Sequence, residues 1–431
     1  MNIKTRLIVM NFLQFAVWGA YLTSMGSYLA TIGMGQEIGL FYAMQGIVSL
    51  FMPAIMGIIA DRWVPAQRLL SLSHLLSALF MAAAGSYGMS GGREFTTLFG
   101  LYAMAVAFYM PTLALSNSVA YNALDRAGLD TIKAFPPIRI FGTIGFICAM
   151  WITDLMGWQA TYNQFFWCSA IGILFSGYAL SLPPCPTNNG KGRSMAEALG
   201  LKAFSLFKQK KMALFFLFSM LLGVSLQITN GFANPYISSF GHIEAYADTF
   251  GVQHANILIS LSQISETLCI LLIPFFLKRF GIKQVMLMAM LAWVLRFGLF
   301  GTGDPGQGVW MFILSMIVYG VAFDFFNVSG SLFVDKEVDK DIRSSAQGLF
   351  VFMTNGFGAT IGTLSAQAVV NHFVVAGPGV EQMEQWKTCW FVFAAYALVV
   401  AVLFALIFKY KHQRQEEVVE KTASHQKLVK P

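Results

Sequence analysis

Apolar runs of about 20 residues, the length that crosses a bilayer as a helix, recur along the whole chain between short polar breaks. They predict helices near 6–31, 37–60, 68–89, 95–121, 135–157, 161–182, 212–238, 254–277, 282–302, 308–334, 345–372 and 388–409. The breaks carry helix-ending residues, among them Gly91-Gly92, Pro183-Pro184, Asp304-Pro305-Gly306 and Gly377-Pro378-Gly379. The pattern predicts an all-α integral membrane protein with twelve transmembrane helices.

The longest non-apolar stretch inside the chain, 183–211, divides these helices six and six. The expected organisation is a six-helix bundle over 1–182, a cytoplasmic central loop over 183–211, a second bundle over 212–409 and a cytoplasmic tail over 410–431. Met195 to Phe207 has the pattern of an amphipathic surface helix. The basic turn after helix 2, around Asp61 and Arg62, is echoed after helix 8 by Lys278 and Arg279. That is the layout of a duplicated transporter with two pseudo-symmetric halves.

Charge sets the orientation. On these spans, both termini and the loops after helices 2, 4, 6, 8 and 10 hold 24 of the 28 Lys and Arg, while the opposite loops hold only Arg93 and Lys387. By the positive-inside rule both termini are expected in the cytoplasm. The same bias accounts for the net charge of +7, so no nucleic-acid partner is needed. Only 11% of residues are charged, against roughly a quarter in soluble domains. The apolar run from Leu7 to Leu29 is longer than a signal h-region, and Ala16-Val17-Trp18 is a poor cleavage site, so it is expected to stay. Five cysteines without a CxxC or a histidine at ligand spacing predict neither a disulfide framework nor a metal site.

Two carboxylates, Glu266 and Asp324, fall near the middle of predicted spans. Each costs about 3 kcal/mol to insert, so each is expected to face a bundle interior or a water-filled path. Around them polar and aromatic residues share helix faces by spacing. Arg139, Thr143 and Phe146 lie at i, i+4, i+7; Gln227, Asn230 and Asn234 at i, i+3, i+7; Gln263 and Glu266 at i, i+3; and Tyr319, Phe323 and Asn327 form a stripe beside Asp324. Amides offer paired donors and acceptors suited to base edges or ribose hydroxyls, and aromatics suit stacking on a planar base. Each stripe also has a plainer reading: Arg139 snorkelling to headgroups, the amides bonding helix to helix, the phenylalanines facing lipid. Asn11, Gln14, Trp18 and Tyr21 form a further face that would line the cytoplasmic half of a cavity. His74, Asn117 and Asn355 read as interhelical hydrogen-bonders, and Arg296 as snorkelling outward.

Gly57, Ala60, Asp61, Arg62 and Arg68 resemble, in degenerate form, the helix 2–3 loop signature of the major facilitator superfamily. Longer strings, from Phe135 to Phe146, Phe218 to Asn230, Ser262 to Leu268, Tyr319 to Asn327 and Ala346 to Gly348, resemble the bacterial nucleoside:proton symporter family of that superfamily. The likeness runs from about Leu13 to Lys411, omitting the central loop. It implies a major facilitator fold in the bacterial inner membrane and proton-coupled uptake of nucleosides such as uridine and adenosine by alternating access. It further implies a monomer, with no cofactor beyond the proton as coupling ion. The family's nucleoside pocket matches Arg139, Thr143, Phe146, Gln227, Asn230, Gln263, Glu266, Tyr319, Phe323 and Asp324. Gly57, Asp61 and Arg62 match its conformational loop. Departures are a short helix 1–2 connection (Ile32 to Ile38), Pro235 near the outer end of helix 7, and the tail.

Burial penalises a charged carboxylate, and water or a nearby cation restores it. An acid that alternates between those settings takes up and releases a proton, which makes Asp324 and Glu266 the expected proton carriers, with Arg139 as a switchable counter-charge. A sugar permease would want fewer aromatics around the polar stripes, and a drug permease fewer amides. A transport-like sensor would carry an output domain where only about twenty polar residues follow Lys409. Against a membrane enzyme, HExxH, GxSxG, a P-loop and a cysteine–histidine pair are all missing.

Overall fold

The computed structural model describes residues 2–187, 201–339 and 342–410, and among them every regular element is helical. The first half contains α1 (Ile3–Gly19), α2 (Met25–Thr31), α3 (Ile38–Arg62), α4 (Ala66–Met89), α5 (Phe95–Tyr109), α6 (Thr112–Arg126), α7 (Thr131–Leu155) and α8 (Asn163–Ala179). The second contains α9 (Lys210–Leu226), α10 (Ile228–Ser239), α11 (Ala255–Thr302) and α12 (Val309–Glu337). These are followed by α13 (Arg343–Val351), a π-helical segment Phe352–Gly358, α14 (Ala359–Phe373) and α15 (Val380–Ile407). The expected amphipathic helix appears only in part, as a 3-10 helix over Leu201–Lys208; residues 195–200 and the tail from 411 lie outside the described residues.

Nine helical stretches among the described residues are long and apolar enough to cross a membrane. Three expected spans drop from that count for local reasons. α1 and α8 have 17 residues each. α11 runs for 48 residues but reverses at Gly281, whose φ of 78° no L-residue adopts cheaply. Three expected spans are also broken along their length. The first parts between Gly19 and Met25, the fourth at Met110-Pro111, and the seventh at Gln227, which caps both α9 and α10.

Glycines set the closest helix crossings, as expected where lipid supplies no hydrophobic drive and backbone approach decides packing. α1 and α7 meet where Gly19 faces the backbone of Phe146 and Gly145 faces that of Phe12; a Cβ at either would overlap it. In the second half, Gly223 meets the backbone of Thr354 and Gly362 that of Val224, locking α9 against the π-helical segment and α14. Each half thus has a tight, glycine-mediated crossing of this kind.

Between the halves, every hydrogen bond among the described residues lies at one end, opposite Arg62, Arg126 and Lys211. There Thr23 donates to Asn256 (3.0 Å), Ser27 to Asn234 (2.6 Å), and Trp151 to Ser260 (2.8 Å). The short Ile32–Ile38 connection is tied in as well. Gln367 accepts from the Gly39 amide (2.5 Å) and donates to the Gly35 carbonyl (3.1 Å). Pro235 packs in the same seal, where a Cβ on Gly26 would strike it.

Candidate functional site

A cavity of about 620 Å³ lies between the halves, within the range of about 300–1,000 Å³ that small-molecule sites occupy. It extends from Leu22, near the sealed end, to Pro53 on α3 and Ser345 on α13, toward the end that carries the basic turns. Nine of the ten residues expected on sequence line it: Arg139, Thr143, Phe146, Gln227, Asn230, Gln263, Glu266, Tyr319 and Phe323. Asp324 does not.

The first-half wall is built by α1, α3, α6 and α7. Arg139 does not snorkel to the surface. Its guanidinium carbon stands 3.8 Å from the ring centroid of Phe15, a cation–π contact inside the cavity. Phe146, one turn beyond Thr143, receives Trp18 edge-on, with centroids 6.3 Å apart at 87°. The Gly19 and Gly145 crossing presses this stripe toward the cavity.

The second-half wall comes from α9–α10, α11, α12, α13, the π-helical segment and the start of α14. Asn230 donates to Gln227 Oε1 at 2.8 Å, so the two amides act as a pair beside the helix break. Tyr319 and Phe323 are stacked, 5.6 Å apart and 14° from parallel, and offer one continuous aromatic face. Gln263 keeps a buried Oε1 without a hydrogen-bond partner. Glu266 faces Arg139 within electrostatic reach, yet the ion pairs among the described residues all lie elsewhere. The two opposite charges therefore face one another across the cavity without closing on each other.

Asp324 sits behind this wall. It is 5% exposed and its Oδ2 has no hydrogen-bond partner. Glu266 lies within electrostatic reach of it, as does Cys269, both on the first arm of α11. One turn earlier Gly320 packs on Ser265 and Cys269, which brings α12 close enough for the acid to be sealed.

Several readings of single residues need correction. Of the α1 face only Trp18 lines the cavity. Asn11 bonds its own Leu7 carbonyl (3.0 Å), Tyr21 is buried, and Gln14 donates to Thr112 (2.7 Å) and meets His74 Nε2 (2.9 Å). The cavity stripe is Phe15, Trp18 and Leu22, one position round the helix, because Asn11, Gln14 and Tyr21 are buried inside their own half. Asn234 leaves the Gln227 stripe for the seal between halves, where it meets Ser27, Gln159 and Asn256. Asn327 bonds the Phe323 carbonyl (3.0 Å) and does not line the cavity.

Arg296 does not snorkel outward. It is 2% exposed and bonds the Ser315 carbonyl. Helical side chains lean toward the helix N-terminus, and the second arm of α11 runs toward the sealed end, so Arg296 leans back into the bundle.

His74 bonds between helices as expected, whereas Asn355 lines the cavity together with Gln45. The sequence signal for Gln45 is a lone amide in the apolar run of α3. Asn355 has no such signal, since nothing local announces the π-helical segment that carries it, a feature frequent at functional sites. Gly57, Asp61 and Arg62 occupy the last two turns of α3 and line no part of the cavity.

The family model for the nucleoside H+ symporters matches residues 1–413. The chain is 48% identical to the xanthosine permease of Escherichia coli (strain K12), over 99% of this chain and 100% of that protein. It is 46% identical to the nucleoside permease NupG of the same organism, over 96% of this chain and 98% of that one. The crystal structure of the nucleoside transporter NupG superposes with a TM-score of 0.87 at 46% identity, covering 95% of this chain and 100% of that one.

Proposed function

The chain belongs to the nucleoside H+ symporter family and takes up nucleosides together with protons, and we propose that both are handled in the cavity between its halves, by alternating access. It is a transporter, not an enzyme, and a multi-pass protein of the bacterial inner membrane. One observation carries the reading: a single cavity gathers a cation, an acid, five amides and an aromatic stack from both halves. A nucleoside has a planar base and a hydroxyl-rich sugar, and these groups match both parts.

In this reading Tyr319 and Phe323 stack on the base from one side and Phe146 closes the other. Gln227, Asn230, Gln263 and Thr143 hydrogen-bond base edges and ribose. Glu266 and Arg139 contact the polar end of the substrate, and their attraction helps draw the halves together when it binds. Asp324, with Glu266 beside it, carries the proton, and no other cofactor is required. Uridine and adenosine are both substrates.

We propose further that the chain crosses the membrane twelve times as two six-helix bundles of the major facilitator fold, over 1–182 and 212–409, joined by a cytoplasmic loop over 183–211. The paired glycine crossings of α1 with α7 and of α9 with α14 support that pseudo-symmetry. Both termini, including the tail from 410, face the cytoplasm, the Gly57–Asp61–Arg62 turn governs the movement of the halves, and the protein works as a monomer.

Uptake of labelled uridine and adenosine into cells lacking nucleoside permeases tests the reading, with Gln227 and Asn230 both changed to Ala as the site variant. Wild type is expected to accumulate both nucleosides until a protonophore is added, and the double variant to lose uptake at normal membrane abundance. Unchanged uptake by the double variant would remove this cavity as the site.

A further inference from the structure

Arg296 is a buried charge that the transport scheme above leaves unused. Among the described residues no carboxylate forms an ion pair with it. Its Nη1 donates to the Ser315 carbonyl at 2.7 Å, Nη1 and Nη2 both reach Ser262 Oγ at 3.4 Å, and Nε has no partner. A cation held so poorly by hydrogen bonds inside a membrane bundle needs another source of stabilisation. Two rings supply it: the guanidinium carbon lies 5.5 Å from the centroid of Phe300 and, nearer, 4.6 Å from that of Tyr319.

The other neighbours of that ring define what the contact does. Trp293 meets Tyr319 edge-on at 6.0 Å and 87°, and Phe323 lies nearly parallel to it on the same helix. Tyr319 and Phe323 line the cavity, whereas Arg296 and Trp293 do not. Ser262 immediately precedes Gln263, another lining residue. The arginine thus touches the back of the aromatic face and the turn that presents an amide, without reaching the cavity itself.

We propose that Arg296 is a positioning residue for nucleoside recognition, fixing from outside the cavity the ring plane of Tyr319, and through it the stacked Phe323. The inference rests on the reading that Tyr319 contacts the nucleoside. A planar guanidinium stacks on a ring while its edge donates to Ser315, whereas a lysine ammonium offers a point charge without that fork. A ring already held in its bound plane loses less freedom when substrate arrives, and affinity rises accordingly.

The experiment measures uridine Kd by calorimetry on the purified full-length protein, with the melting temperature recorded for each variant. Arg296→Gln is expected to raise Kd about tenfold, and Arg296→Lys about threefold, because charge without the fork keeps part of the contact. In a Tyr319→Leu background Arg296→Gln is expected to add almost nothing, since residues acting through one another are not additive. A folded Arg296→Gln protein with wild-type Kd overturns the proposal, as does an equal rise in the Tyr319→Leu background. If Arg296→Gln is not recovered folded, Arg296→Lys decides, and a wild-type Kd there overturns it. Tyr319→Leu alone with unchanged Kd removes the underlying reading of the cavity and the proposal with it. A Kd shift on Tyr319→Leu with none on Arg296→Gln removes only the arginine's role.

Discussion

Asp154, at the end of α7, reaches across to the start of α11, where its Oδ1 lies 2.5 Å from His254 Nδ1. Its Oδ2 accepts from the Asn256 and Ile257 amides at 3.0 and 3.2 Å. A carboxylate from one half thus caps a helix N-terminus of the other, a charge-assisted contact favoured by the helix dipole.

Asp154→Ala is therefore expected to loosen the sealed end more than His254→Ala, because the alanine at 154 uncaps the Ile257 amide and leaves the Asn256 amide only Gln159 Oε1 (3.2 Å), while the one at 254 leaves both capped. With Ser27→Cys as reporter, 6% exposed in wild type, maleimide labelling of purified protein should quicken about tenfold in the Asp154 variant, the change that about 1–2 kcal/mol of lost capping allows. Equal labelling rates in all three backgrounds would show that the contact does not hold the seal.

The two acids are separated by access. Glu266 lines the cavity opposite Arg139, and Asp324 stands behind with an unpartnered oxygen. An acid in contact with substrate should matter for every mode of transport, whereas a sealed acid should matter only where a proton must move. Asp324→Asn is expected to abolish uphill uptake and keep nucleoside counterflow, and Glu266→Gln to depress both by tenfold or more, about the value of one charge-assisted hydrogen bond. Uphill accumulation at the wild-type level by both variants would remove the acids from the coupling scheme. The reverse pattern would exchange their roles.

Hydropathy alone located the nine apolar stretches long enough to cross a membrane, because a bilayer demands about 20 apolar residues and leaves few other solutions. The stripes through Arg139, Gln263 and Tyr319 were legible for a similar reason, since polar groups at helical spacing in an apolar run must share a face. That rule could not say which polar face looks at a cavity and which at a partner helix. Asn11, Gln14 and Tyr21 looked as suitable as Thr143 until His74, Thr112 and tight packing were found inside the same half. Nor could it place Arg296, whose partners Ser315 and Tyr319 are on another span. Long-range partners, unlike spacing, are not written locally.

Glycines at the two crossings should tolerate substitution far less than glycines facing open space. Gly145→Ala drives a methyl group into the Phe12 backbone, and Gly362→Ala drives one into that of Val224. Overpacking of that kind costs about 1–3 kcal/mol, so both variants should melt several degrees below wild type. Gly100→Ala, with nothing within 4 Å of the added carbon, should melt at the wild-type temperature or above it, alanine being the better helix former. Uniform melting temperatures would mean that the crossings relax freely and do not define the halves.

Trp18 and Gln45 are where the cavity wall depends on a hydrogen-bond chain. Gln45 Oε1 accepts from Trp18 Nε1 at 3.3 Å, and its Nε2 donates to the Tyr102 hydroxyl at 2.9 Å, deep in the first half. Trp18 in turn holds Phe146 edge-on and lies 6.0 Å from Tyr109. Gln45→Leu keeps the volume and removes both bonds, leaving the indole free to tilt into the space a substrate would use. A hydrogen bond of this kind is worth about 1 kcal/mol, so the KM for uridine should rise about fivefold. Gln45→Glu retains an acceptor for the indole and should fall between Leu and wild type. Because the chain ends on Tyr102, Tyr102→Phe should reproduce part of the Gln45→Leu effect without touching the cavity. A wild-type KM in Gln45→Leu would mean that packing against Phe146 and Tyr109 alone orients Trp18.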